Sequence, residues 1–386
     1  MPIARVSSGF GPFPMRRKEV RGMMQKRLKQ AGGMLLILLL SGFFAVALSL
    51  ITHAVLTAYF YLHTRNYYSE LSESEKKAYS HIDPADVEDL LQATWSEKYG
   101  GWEYQPWVGF REKPRKSKFL NVSPYGIRAN SEEVREIESL DDSVWFFGGS
   151  TTFGYGVADN ETIPAVLESA LDQRVSNLGR GYFYSAQENF LFKQLLEAGY
   201  RPATAVFLDG LNERCSIDIY QSEMANFFEQ SQYHYRWNIS EVFGPILFVS
   251  DQVLPSTEDA PTTSLHHLEC ESYGRVQSLG DVVKTNLRDR ASICELYNVH
   301  CLTFVQPIAG LHGVHEDFNR LPESSRKLLR EKYVHLKPIW SQAGATFLDG
   351  ALEGLEEHAY VDDVHYSAAA SRKIANAMSK PILNSH

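Results

Sequence analysis

The chain has 386 residues, 44% of them hydrophobic, which is ordinary for a globular protein and enough for one sizeable core. Its formal net charge is −9, yet the first 29 residues carry eight basic side chains against one acid, so the rest of the chain stands at −16. An acidic body of that kind argues against nucleic acid as a partner, and against docking on anionic headgroups through a basic face.

Residues 1–30 read as a basic tail, with Arg16, Arg17, Lys18, Arg21, Lys26, Arg27 and Lys29 against Glu19. From Gln30 to Thr64 there is no Asp, Glu, Lys or Arg, and residues 31–62 are mostly apolar. A membrane-crossing helix needs about 20 such residues, so a transmembrane helix is expected over 31–62. The positive-inside rule then puts the N-terminus in the cytoplasm and the rest of the chain in an extracytoplasmic compartment, periplasm or cell surface. A cleaved signal peptide is the competing reading. Ala45-Val46-Ala47 resembles a cleavage site, but the apolar sequence runs well past the roughly 7–15 residues of a signal core.

Residues 63–140 are expected as a stalk and an aromatic lead-in. The acid-rich part, 66–100, shows helical spacing around Val87, Leu90 and Leu91. Gly101 to Arg111 is aromatic and broken by Gly and Pro, and Ser123-Pro124-Tyr125-Gly126-Ile127-Arg128 is a second turn-rich piece. Trp102 and Trp107 could stack on a sugar, but packing onto the main domain is the preferred reading.

Beyond residue 140 the pattern alternates. Strands are expected at 143–148, 174–178, 203–209, 300–306 and 345–348, and helices around 161–171, 185–198, 278–297, 323–342 and 367–380. Such alternation predicts an α/β domain with a parallel sheet covered on both faces. The first strand runs into Gly148-Gly149-Ser150, which presents a hydroxyl at the end of a buried strand. The second ends in Asn177-Leu178-Gly179-Arg180-Gly181, a turn that can offer a backbone N–H. The third ends in Gly210-Leu211-Asn212-Glu213, whose Asn212 amide could donate to an oxyanion. Near the C-terminus stands Asp362-Asp363-Val364-His365, so the parts of a serine hydrolase triad occur in the order Ser, Asp, His.

Residues 215–277 interrupt the alternation with a Tyr-, Phe-, Gln- and Ser-rich insertion, expected to border the site because it follows Asn212. Cys215, Cys270, Cys294 and Cys301 allow three disulfide connectivities or buried free thiols, and none has zinc-site spacing. His312-Gly313-Val314-His315 reads as loop rather than a metal site.

Taken together, the Ser, Gly, Asn and Asp-x-x-His segments resemble the blocks of the SGNH (GDSL-type) hydrolase superfamily, over about residues 141–386. The nucleophile block has Gly-Gly-Ser where Gly-Asp-Ser is usual, a variant of some bacterial members, and Glu213 replaces the usual Asp of Gly-x-Asn-Asp. The resemblance implies a flavodoxin-like three-layer α/β/α sandwich with about five parallel strands. It also implies Ser150 as nucleophile, His365 as base and Asp362 as its partner, Asp363 lacking the three-residue offset. The oxyanion hole would comprise Ser150, Gly181 and Asn212, with Gly179 as the alternative to Gly181. The expected partner is an acyl-ester substrate, of glycan or lipid; no metal or organic cofactor is called for. The expected function is a membrane-anchored esterase or deacylase. The alternatives are an O-acyltransferase acting on a surface glycan and a non-catalytic assembly protein that keeps the fold.

Overall fold

The computed structural model describes residues 17–62, 66–95, 101–210, 212–215, 268–272, 275–312, 322–355 and 358–384. Two compact units divide the chain: one holds the N-terminal helix, the other all the remaining described elements.

The first unit is the helix α1, Arg17–Leu62. Its Met24–Leu56 stretch, 33 residues whose most apolar 18-residue window has a mean hydropathy of 2.7, is long and apolar enough to cross a membrane. The helix begins earlier than the apolar run, because the basic residues ahead of it are also good helix formers.

The second unit is built on a five-stranded, all-parallel sheet. Its strands are β3 (Val144–Gly148), β4 (Val175–Asn177), β5 (Thr204–Asp209), β8 (Cys301–Val305) and β9 (Thr346–Phe347), in spatial order β4-β3-β5-β8-β9. Counted within the sheet, that is the 2-1-3-4-5 order of flavodoxin-like folds. All five agree with the expected strands to within two residues.

Side chains alternate between the faces of each strand, so β3 feeds two cores. Val144 and Phe146 pack with Val206 and Leu208 against α6 (Ile163–Leu171) and α10 (Ala368–Leu383). Trp145 and Phe147 pack with Ala205 and Phe207 against Leu191, Phe192 and Leu196 of α7 (Ser185–Glu197). A third core joins α8 (Leu279–Tyr297) to α9 (Glu323–Gln342) through Val283, Leu336 and Trp340. Both faces of the sheet are therefore covered, which is why its strands read as near-continuous apolar runs.

The segment expected as a stalk folds as α2 (Tyr67–Glu70), α3 (Glu73–Ala78) and α4 (Pro84–Trp95). Val87, Leu90 and Leu91 are buried with Val157 and Val361 of the sheet domain. The aromatic lead-in forms an antiparallel hairpin, β1 (Trp102–Gln105) and β2 (Gly109–Glu112). Its tip carries Trp107, 81% exposed, while Trp102 packs against the second core. Most of the expected insertion, residues 216–267, lies outside the described residues; its C-terminal end is the hairpin β6 (Glu269–Ser272) and β7 (Arg275–Ser278).

Candidate active site

In a 2-1-3-4-5 sheet the chain leaves the first strand on one side and later returns on the other, opening a crevice at the carboxyl ends of those two strands. Here the crevice lies between β3 and β5. Ser150 opens the short helix α5 (Ser150–Phe153) directly after β3, and Asn212 follows β5. The glycines before Ser150 are required for different reasons. Gly148 has φ +157°, and a Cβ there would collide with the Thr152 hydroxyl. A Cβ on Gly149 would collide with Asn212 Nδ2, so only glycine lets the Asn212 amide stand beside the Ser150 turn.

Asp362 and His365 form a compact corner before α10. Asp362 Oδ2 pairs with His365 Nδ1 at 2.7 Å, while Oδ1 accepts the backbone N–H groups of Val364 at 2.8 Å and His365 at 2.7 Å. Burial alone would raise the Asp362 carboxyl, but the His365 charge and these hydrogen bonds hold it below the usual carboxylate value. With Nδ1 engaged, His365 Nε2 is the open position, and it is buried with no hydrogen-bond partner. Asp363 is exposed and makes no such contact with the ring.

Tyr155 links this corner to the Ser150 turn. Its N–H donates to the Ser150 carbonyl at 3.2 Å, and its ring lies 5.4 Å from the His365 ring. Trp95, the last residue of α4, stands 5.5 Å from His365 and edge-on to Tyr155 at 5.3 Å. The Tyr155 hydroxyl donates to Glu112 at 2.5 Å, and burial keeps it a neutral phenol far above its ordinary pKa.

Glu112, fully buried on β2, also accepts from Trp102 Nε1 at 3.0 Å and Arg115 Nη2 at 2.7 Å. Its fourth donor is the Gly181 N–H, at 3.2 Å. The two glycines expected near the oxyanion hole both have their amides engaged. The Gly181 amide is aimed at a carboxylate, and the Gly179 N–H is bonded to Asn177 Oδ1 at 3.1 Å, so neither glycine presents a free donor. Asn212 Nδ2 donates to the Phe183 carbonyl at 3.0 Å, which uses one of its two protons and leaves the other. Ser150 N–H heads α5, and its cap residue Gly149 makes no side-chain cap hydrogen bond.

A second buried ion, Arg128, holds the chain that leaves α5. Its guanidinium donates to Asp159 at 3.0 Å, to the Phe153 and Gly154 carbonyls, and to the Val157 carbonyl at 2.6 Å. Glu112, Arg128, Tyr155 and Trp95 were not foreseen as site residues. Glu112, Arg128 and Tyr155 stand in or beside aromatic, turn-rich segments and Trp95 in the acid-rich one, and neither kind of segment says what its residues touch. The cysteines pair Cys215–Cys270 and Cys294–Cys301, with Cα separations of 5.4 and 6.2 Å, and none is left free. His312 is a packing residue: its Nδ1 accepts the Ile308 N–H at 3.0 Å.

No family model matches the sequence, and no curated protein matches it. Among solved structures, a protein proposed to be an arylesterase from Agrobacterium tumefaciens is 17% identical with a TM-score of 0.36, covering 64% of this chain and 100% of its own. A member of the lipolytic G-D-S-L family from Veillonella parvula is 10% identical with a TM-score of 0.35, covering 62% of this chain and 96% of its own. A carbohydrate acetylesterase family member from Sinorhizobium meliloti is 15% identical with a TM-score of 0.33, covering 63% and 98%. Solved structures similar to this chain are thus described as GDSL-type and related ester hydrolases, while its own functional reading rests on the geometry of the crevice.

Proposed function

We propose that the chain is a membrane-anchored serine ester hydrolase of the SGNH type, acting on carboxylic O-acyl esters outside the cytoplasm. His365 carries the reading: its Nδ1 is bonded to Asp362, its Nε2 is buried and open, and Tyr155 ties it to the Ser150 turn at the β3/β5 crevice. A surface histidine before a helix has no reason to hold an unpartnered buried nitrogen, whereas a general base does.

In the proposed reaction His365 Nε2 takes the Ser150 hydroxyl proton as Oγ attacks the ester carbonyl. The carbonyl oxygen becomes an oxyanion facing the Ser150 N–H and the free proton of Asn212 Nδ2. The imidazolium, stabilised by Asp362, then protonates the departing alcohol. Water activated by the same nitrogen attacks the acyl-enzyme, releasing the acid and restoring Ser150. Gly181 has no place among the donors in this scheme, because its amide is held by Glu112.

The location is supported twice over. The basic tail before the apolar helix favours a cytoplasmic N-terminus, and two disulfides with no free cysteine suit an oxidising compartment. The proposed organisation is a tail over 1–30, a membrane helix over 31–62, a lead-in over 63–140 and the catalytic domain over 141–386. The test is hydrolysis of p-nitrophenyl acetate by the full chain in detergent, beside Ser150→Ala and His365→Ala. Each substitution should remove at least about a thousandfold of turnover. A folded wild type with neither turnover nor fluorophosphonate labelling of Ser150 would leave only a binding role.

A further inference from the structure

Asn212, Glu213 and Arg214 face Tyr182, Phe183 and Ser185, and each makes a cross-link to that opposite segment. Asn212 Nδ2 donates to the Phe183 carbonyl at 3.0 Å, and Arg214 Nη2 to the Tyr182 carbonyl at 2.8 Å. Between them in sequence, Glu213 accepts twice from Ser185: from its N–H at 3.3 Å and from its hydroxyl at 2.7 Å. Glu213 and Ser185 are buried, and both carboxylate oxygens are used. Behind them the Ser185 hydroxyl accepts from Asn286 Nδ2 at 2.9 Å, which extends the link to α8.

A buried carboxylate is costly, and a turn needs none to hold its shape. We infer that Glu213 is a positioning residue for catalysis: it clamps the segment after β5 to the start of α7 and so holds the Asn212 amide beside the Gly149–Ser150 turn. The inference rests on the reading of Asn212 as an oxyanion donor. The charged groups around Glu213 come from every neighbouring element: Asp209 on β5, Glu188 on α7, Arg290 on α8, Lys332 on α9, and Arg214 beside it. Arg290 is shared with Asp209 at 2.8 Å and Glu188 at 3.1 Å. Burial, reinforced by Asp209, lifts the Glu213 carboxyl to about 7 despite the Ser185 hydrogen bond, Arg290 and Lys332. Only the ionised form accepts through both oxygens, because the protonated form must turn one into a donor.

The test is a double-mutant cycle on the full chain in detergent, with p-nitrophenyl acetate as probe. Asn212→Ala should lower kcat by about a hundredfold, the size expected for one oxyanion donor. Glu213→Gln, which keeps the shape but accepts only once, should lower kcat by about tenfold with KM unchanged. On the Asn212→Ala background the same change should cost less than about twofold, since the group it positions is gone. The acid limb of the wild-type profile should be steeper than that of Glu213→Gln, which lacks one ionisation. If Glu213→Gln does not fold, Ser185→Ala removes the clamp from the other side and should repeat the pattern. A full tenfold loss on the Asn212→Ala background, or unchanged kcat in both Glu213→Gln and Ser185→Ala, overturns the inference. An unchanged kcat in Asn212→Ala removes the oxyanion reading itself, and the inference with it.

Discussion

Asp362 reaches His365 across three residues of sequence, whereas Glu112, which orders the adjoining Tyr155 and Gly181 wall, reaches Tyr155 across 43 and Gly181 across 69. The first wall is a local turn closed on itself by Asp362, with two backbone amides and a ring nitrogen converging on one carboxylate. The second is assembled from the lead-in hairpin, α4, the turn after β4 and the loop after α5. A local corner keeps its geometry while its few residues persist. An assembled wall depends on buried polar groups from separate segments, each of which is costly when its partner is lost.

The contrast can be broken first at the local corner. Asp362→Asn should lower kcat by about 10³–10⁴-fold, as wrong-tautomer triads do, while its thermal unfolding at neutral pH should shift less than that of Arg128→Met. A large fall in melting temperature would mean that the corner is structural. The assembled wall should respond the other way. Arg128→Met leaves Asp159 buried without its cation and orphans the carbonyls of Phe153, Gly154 and Val157, so a loss of about 3–5 kcal/mol is expected in denaturant unfolding.

Glu112→Gln is milder. It keeps one acceptor but cannot receive the Trp102, Tyr155, Gly181 and Arg115 donors together, and should cost about 1–3 kcal/mol. The two carboxylates Asp362 and Asp159 should also separate by pH. The folded pKa of Asp362 is depressed, so its contribution to stability is present above about pH 4 and is lost as pH falls through the folded value. Asp159 is raised, chiefly by burial and despite Arg128, so its contribution runs in the opposite direction, weakening as pH rises through its folded value. Unfolding of Asp362→Asn and Asp159→Asn between pH 3 and 7 would show opposite changes in slope if these signs hold. The smallest effect is expected at Trp95→Ala, which uncovers one side of His365 and should change kcat/KM several-fold, on the scale of about 1 kcal/mol for an aromatic contact.

What could be read without the fold follows from the same contrast. Val144–Gly148 and Thr204–Asp209 were legible because strands buried on both faces must be apolar throughout, and the glycines and polar residues that end them must follow. Asp362 and His365 were legible as candidates because a three-residue offset is a local property. That the Gly181 amide meets Glu112 was not legible, because Glu112 lies 69 residues away and nothing in either segment names the other. The stalk expectation met the same limit: Val87, Leu90 and Leu91 announce an apolar helix face, but not that Val157 and Val361 cover it.

The sequence by itself determined the apolar N-terminal helix, the alternation of strands and helices, and the order Ser150, Asn212, Asp362, His365 along the chain. Each of these is written in short-range periodicity or spacing, and needs no knowledge of distant neighbours. The tertiary structure alone decided the strand order that puts Ser150 and Asn212 at one crevice, the pairing Cys215–Cys270 and Cys294–Cys301, and the partner of the Gly181 amide. Those are choices among many long-range closures of nearly equal local cost. Only the simultaneous packing of both sheet faces, with buried polar groups satisfied, selects between them.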